Sequence, residues 1–351
     1  MNVSKALTSD YENIRLPSPA KSNPIQTHFT LCEFFLFFTC LYPGYNLPMQ
    51  TWTIQKLLSW ITGYFTEKNV DSPRLSAELL LSHVLEVARI ELYTHFDKPV
   101  GADQLDRLHD LVKRCGQQEP LAYLIGRTEF YSLDIKVTPD CMIPRPETEL
   151  LNEKAIDFLR TRRGKQFVCD LCTGSGCIAV AIAKNCRDSY IIATDICDSA
   201  LAVAAENVAN HNVRERVTLL CGDLFAPIIE GLDNTEFDLI VCNPPYVSTA
   251  EYEILEKSVR DYEPKHALYA GADGLDIYRR IAARVDKFLK PDAALILEIG
   301  YAQGPAVREL LEQTGIFAEI EIKKDVQNND RVVIAGRPTR NVPQSGTHYQ
   351  R

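Results

Sequence analysis

The segment Phe237–Ser248, FDLIVCNPPYVS, packs five apolar residues into six positions and then breaks into Asn243-Pro244-Pro245-Tyr246. The apolar run predicts a buried strand, and Asn-Pro is an ordinary strand terminator. The tetrapeptide also offers a specific chemistry. A planar NH2 group is a poor nucleophile because its lone pair is delocalised. It becomes competent once its two hydrogens are held and its nitrogen is aimed at an electrophile. The Asn243 side-chain oxygen and the Pro244 carbonyl supply two acceptors for those hydrogens. The prolines restrict the backbone that presents them, and Tyr246 offers a ring face to a planar amide or base. Asn243, Pro244 and Tyr246 are therefore the candidate catalytic residues, and all four residues, Pro245 included, form the candidate substrate site.

A second constellation lies upstream. VCDLCTGSGCIAVAIA, residues 168–183, reads as strand, glycine turn and helix, with Gly174 and Gly176 where the backbone must bend tightly or meet a ligand. Gly174, Gly176 and Ala179 satisfy the loose G-x-G-x-x-A dinucleotide fingerprint, a pattern that many turns show for packing alone. IIATD then puts Asp195 at the end of the next strand, where a carboxylate accepts both ribose hydroxyls of an adenosine. An adenosine-type cofactor follows, and NAD competes with S-adenosylmethionine. Asp170, just before the loop, would repel a pyrophosphate but suits a cationic centre and an amino-acid end. Asp223, in CGDLF, is placed to take the adenine exocyclic amine. An NAD oxidoreductase also leaves the two prolines unexplained. S-adenosylmethionine is the expected cofactor, and no metal is.

These residues need a frame. From Gln166 onward strand and helix alternate: strands at 166–171, 190–195, 217–221, 237–242 and 293–299, helices at 177–186, 198–210, 274–289 and 304–314. The alternation predicts a mostly parallel, doubly wound, Rossmann-like α/β sheet of seven strands. Two closing strands, 317–323 and 331–336, lack a helix between them and should pair as an antiparallel hairpin. Ahead of this lies a small helical bundle over 49–126, with Ser72 as a candidate N-cap before Pro73 and Gly116 as a helix stop. A β-hairpin linker is expected over 127–145 and the methyltransferase domain over 146–337. Residues 1–48 and 338–351 are expected to be disordered. FFLFFTCLY, residues 34–42, is too short to span a bilayer and lacks the flanks of a signal peptide.

The composition fits a soluble enzyme: 46% hydrophobic and 24% charged residues. A net charge of −9 argues against a clamp for long nucleic acid, whose phosphates need a basic surface. Eleven cysteines, several within apolar runs, suit reduced core thiols in a cytoplasmic protein better than a disulfide framework, and a monomer is expected. Cys169 and Cys172 form a lone C-x-x-C with no second pair, too little for a zinc site.

From about Met49 to Gly336 the chain resembles the release-factor glutamine methyltransferases, the HemK/PrmC family. The likeness is carried by EPLAYLIGRTEFYSLDIKVTPDCMIPRPETE, DLCTGSGCIA, ATDI, CGDLF, NPPYV, EPKHALYAGADGLDIYRRI, EIG and DRVVIAG. It implies N5-methylation of the glutamine in the Gly-Gly-Gln loop of class I peptide chain release factors, the expected partners. It places the cofactor loop on Cys172, Thr173, Gly174, Ser175 and Gly176, the ribose acid on Asp195 and the adenine neighbours on Asp223 and Leu224, with Asn243 bordering the cofactor. It sets Arg145, Pro146 and Glu147 along one wall of the substrate site, and gives the helical bundle a role in substrate recognition. Cys172 stands where the family has a glycine, and YAGADG carries alanines where it prefers a second glycine. The same tetrapeptide could present an N6-adenine or N2-guanine amine of nucleic acid, the alternative reading; a basic accessory domain would then be expected.

Overall fold

The structure, a computed structural model, describes residues 51–231 and 235–338. The expectations for 1–48, including the 34–42 run, and for the tail beyond 338 lie outside them. Trp52 onward falls in one compact unit.

Five helices come first: α1 Ile54–Glu67, α2 Pro73–Leu85, α3 Arg89–Thr94, α4 Ala102–Gly116 and α5 Leu121–Ile125. Each long helix turns an apolar stripe inward, and Leu58, Ile61, Phe65, Leu80, Leu81 and Leu108 close a core of their own. Ser72 precedes α2, but its backbone is left-handed (φ 45°) and its hydroxyl caps nothing. Pro73, which needs no amide acceptor, starts that helix instead.

Strands β1 Arg127–Phe130 and β2 Leu133–Lys136 form an antiparallel hairpin of their own. Its two turn residues, Tyr131 and Ser132, both have positive φ, the geometry of a tight turn whose twist matches the strands it joins. Helix α6, Thr148–Arg160, then leads into the main sheet.

That sheet has seven strands: β3 Gln166–Leu171, β4 Ser189–Asp195, β5 Val217–Cys221, β6 Phe237–Cys242, β7 Leu289–Glu298, β8 Glu319–Lys324 and β9 Asp330–Gly336. They lie in the order β5-β4-β3-β6-β7-β9-β8. The first five are parallel, whereas β9 runs antiparallel to both β7 and β8. Helices α7 Cys177–Asn185, α8 Asp198–Asn210, α9 Ala226–Gly231, α10 Thr249–Glu253, α11 Lys257–Arg260, α12 Asp276–Ala282 and α13 Gly304–Glu312 connect the strands. Two apolar cores result. One holds α6, α7 and α8 against residues such as Val168, Val241 and Ile296; the other holds Tyr278, Ile281 and Val307 against Leu171, Ile240 and Leu297.

The short helices α9, α10 and α11 were not expected, and the stretch 274–299 differs from expectation. The helix expected over 274–289 ends at Ala282, a 3-10 turn covers Val285–Lys287, and β7 starts at Leu289. Val285, Phe288 and Leu289 are all buried, so periodicity alone reads as continued helix. The Phe237 amide instead donates to the Phe288 carbonyl and Phe237 pairs with Leu289, which starts the strand early.

Candidate functional site

The site lies beyond the carboxyl ends of β3, β4, β5 and β6, where chain crossovers leave a crevice in such sheets. It is an open cleft of about 1050 Å3 including its mouth. The order change falls between β3 and β6, so the loops after these two strands diverge there.

The loop after β3 carries Cys172, Thr173, Gly174 and Ser175 into the cleft wall. Cys172 has a left-handed backbone (φ 57°), the conformation in which glycine is unstrained. Asp195, at the end of β4, holds this loop: its Oδ2 accepts from the Gly174 amide at 2.8 Å and its Oδ1 from the Cys197 amide at 2.9 Å. Asp223 and Leu224, after β5, line the same cleft, and Asp223 is ion-paired with Arg280 of α12. Asn243 and Pro245, after β6, complete the lining.

Other expected residues stand off the cleft surface. Asp170 is fully buried behind the loop, where its Oδ2 accepts from the Thr173 hydroxyl at 2.6 Å and its Oδ1 has no partner. Burial raises its carboxyl to about 7. Gly176 faces away from the cleft, opening α7 at φ 77°, and an added Cβ would sit 3.0 Å from the Ala204 Cβ of α8. Its lack of a side chain serves helix packing. Arg145 is ion-paired with Glu263, a buried carboxylate whose other oxygen accepts from the Ile143 amide at 3.2 Å. Arg145 therefore clamps the Ile143–Glu149 segment to the chain after α11. Glu147 directly precedes α6 without capping it.

The tetrapeptide rests on side chains to which the sequence alone assigns no role. The Asn243 Nδ2 donates to Thr148 Oγ1 at 3.1 Å, which leaves Oδ1 as its accepting end. Thr148, the first residue of α6, is buried and lies at the cleft wall. Tyr246 donates to Glu298 Oε1 at 3.3 Å, and its carbonyl accepts from Gln303 Nε2 at 3.0 Å. Gly274, at φ 74°, passes so close that a Cβ there would meet the Tyr246 carbonyl at 2.3 Å. Pro244 is buried beneath. Burial pushes the Tyr246 phenol well above its usual range, so it stays protonated.

Asn207 of α8 is another such residue. It is buried, its Oδ1 accepts from the Lys136 amide at 2.8 Å, and its Nδ2 donates to the carbonyls of Lys136 and Ser175. It thus joins β2 to the cofactor loop. A single buried asparagine on an apolar helix face is the one signal that could have marked it.

Among the described residues no cluster of His, Cys, Asp and Glu could hold a metal ion, and no helix is long and apolar enough to cross a membrane. The nine described cysteines are all free thiols.

A parallel sheet closed by an antiparallel pair, with its cleft at the β3 crossover, defines an α/β methyltransferase. Residues 56–126 match the family model described as the PrmC N-terminal domain, and 150–267 match the methyltransferase small domain. The release factor glutamine methyltransferase of Geobacter sulfurreducens is 42% identical over 284 residues, which is 81% of this chain and 96% of that protein. That of Rhodopirellula baltica is 42% identical over 286 residues, 80% of this chain and 95% of the other. The crystal structure of a release factor-specific protein-(glutamine-N5) methyltransferase from Alicyclobacillus acidocaldarius is 31% identical, with a TM-score of 0.36, over 58% of this chain and 99% of that one. The chain belongs to the release factor glutamine methyltransferase family.

Proposed function

We propose that this chain transfers a methyl group from S-adenosylmethionine to the side-chain amide nitrogen of the Gly-Gly-Gln glutamine in peptide chain release factors. The observation that carries the reading is the orientation of Asn243: its nitrogen is tied inward to Thr148, and its oxygen is the end left to accept. An amide NH2 presented to that oxygen and to the Pro244 carbonyl has both hydrogens held, with its nitrogen directed into the cleft. Bound S-adenosylmethionine supplies a methyl group on a sulfonium. The methyl group replaces one amide hydrogen, which leaves as a proton.

The residues suit that cofactor. Asp195 lies at the end of β4, with Asp223 and Leu224 beside it for the adenosine. Thr173 and Ser175 are held by Asp170 and Asn207, so the loop is built before a ligand arrives. Tyr246, fixed by Glu298 and Gln303, packs beside the substrate amide. The helical bundle, joined to the catalytic part by Tyr262 donating to the Gln117 carbonyl and Tyr123 to that of Cys141, recognises the body of the release factor.

The test is methyl transfer from labelled S-adenosylmethionine to purified release factor, duplex DNA and ribosomal RNA, offered separately, with modified peptides mapped by mass spectrometry. Label on the Gly-Gly-Gln glutamine is expected. Label on nucleic acid alone would keep the chemistry and overturn the substrate.

A further inference from the structure

Asp223 and Arg280 meet on the β5 side of the cleft, the first on the turn after β5 and the second on α12. The backbone of that turn is held on both sides of Asp223. The Gly222 amide donates to the Asp195 carbonyl at 2.9 Å, and the Thr194 hydroxyl donates to the Leu224 carbonyl at 3.1 Å. These bonds fix where the Asp223 side chain begins, not where its carboxylate points. Arg280 supplies the rest: its Nη2 donates to Asp223 Oδ2, and among the described residues nothing donates to Oδ1. Arg280 has a firm base of its own. Helix α12 turns Tyr278 and Ile281 into the core, the Tyr278 phenol donating to the Glu298 carbonyl at 2.8 Å. Ile277 and Arg280, three residues apart, are then neighbours along the cleft wall. Among the described residues Arg280 is the single Lys or Arg on that wall, which also carries the carboxylates of Asp140, Asp195 and Asp223. Both members of the pair are about half exposed, so it adds little to stability, and its place on the cleft points to another task.

We infer that Arg280 is a positioning residue for cofactor specificity: by holding one carboxylate oxygen of Asp223 it leaves the other for the exocyclic amine of the adenine, and so makes the cleft select an aminopurine. The inference rests on the proposed contact between Asp223 and the adenine. A bond from that amine to a carboxylate is charge-assisted, and its strength depends on the direction of the acceptor. A half-exposed carboxylate free to turn in solvent gives up rotamer freedom when the base arrives. Arg280 removes that freedom beforehand. Its contribution therefore reaches only ligands that carry the amine.

A binding cycle on the full chain, read by calorimetry, separates this from a merely structural role. Two ligands are compared: S-adenosylhomocysteine and its deamino analogue, which carries hydrogen in place of the 6-amino group. The wild type is expected to favour the first by about tenfold. R280M keeps the length and apolar stem of the side chain and removes its donors. It is expected to weaken S-adenosylhomocysteine by about threefold to tenfold while the deamino analogue stays within about twofold, which also shows the cleft intact. With Asp223 already replaced by Ala, R280M is expected to change either affinity by less than about twofold, because Arg280 acts through Asp223. A wild type with no preference between the ligands, equal losses for both in R280M, wild-type affinities in R280M, or a further loss in the D223A background each overturns the inference. A wild type that binds neither ligand overturns the cofactor reading and this inference with it. A wild type that binds as expected but methylates no release factor overturns the substrate reading alone, and the cycle still decides this one.

Discussion

Asn243 and Asp195 sit on the same cleft but do different work. Asn243 is held by one side-chain contact, to Thr148, on the side proposed for the substrate amide. Asp195 takes two backbone amides, from Gly174 and Cys197, and shapes the side proposed for the cofactor. Replacing Asn243 with Ala is expected to lower kcat by roughly a hundredfold or more, with cofactor affinity kept within a few-fold. Replacing Asp195 with Ala should weaken S-adenosylmethionine by about tenfold or more, since two amides and the ribose lose a charged acceptor. Steady-state kinetics beside calorimetry checks both, and unchanged cofactor affinity in D195A would remove the ribose assignment. Cys172 shows why a glycine suits this turn: its backbone is left-handed, at φ 57°, a conformation costing a side-chain-bearing residue about 1 kcal/mol.

At the scale of elements, the loop after β3 depends on a helix and a hairpin remote in sequence. Asn207 of α8, itself fully buried, bonds both Lys136 in β2 and Ser175 in the loop. Asn207→Ala would strand one amide and two carbonyls. A loss of about 2–4 kcal/mol is expected, read as a lower urea midpoint, with weaker cofactor binding because Ser175 lines the cleft. An unchanged midpoint would show that the hairpin is not coupled to the loop. The Arg145–Glu263 pair joins two further loops in the same manner, which accounts for an arginine near the site that does not line it.

Among the described residues, burial raises two carboxyls well above their ordinary range. Burial raises Glu298 from 4.5 to about 7 and Asp170 from 3.8 to about 7. Tyr246, Tyr278, Glu147 and Arg331 surround the first, and Thr173 and Asp195 the second. A group raised on folding stabilises fully below its unfolded value, and that contribution is lost as pH rises through its folded value. Both carboxyls therefore cost stability as pH climbs from about 4 to beyond 7. Glu298→Gln removes one of these losses. Its melting temperature relative to the wild type is expected to rise between about pH 5 and pH 8. A pH-independent difference would mean that Glu298 is not neutral in the folded protein at low pH.

Much of this protein was legible before folding was considered. Alternation of strand and helix places β3 to β6 within a residue of expectation, because the period of two or 3.6 is a local property of side-chain direction. The loop glycines, Asp195 and the Asn243–Tyr246 turn stand at strand ends, so topology alone brings them to one edge. Their supports were not legible. Thr148, Glu263 and Glu298 fall in stretches that carry the family likeness and Asn207 in none, but spacing gave none of them a task, and each has a partner between 32 and 120 positions away. Gly176 and Asp170, which stand in the motif, turn out to serve packing and loop anchoring. Spacing along the chain specifies which residues reach the cleft edge. Which way a hydrogen bond runs beneath that edge depends on buried contacts that exist only once the sheet has closed.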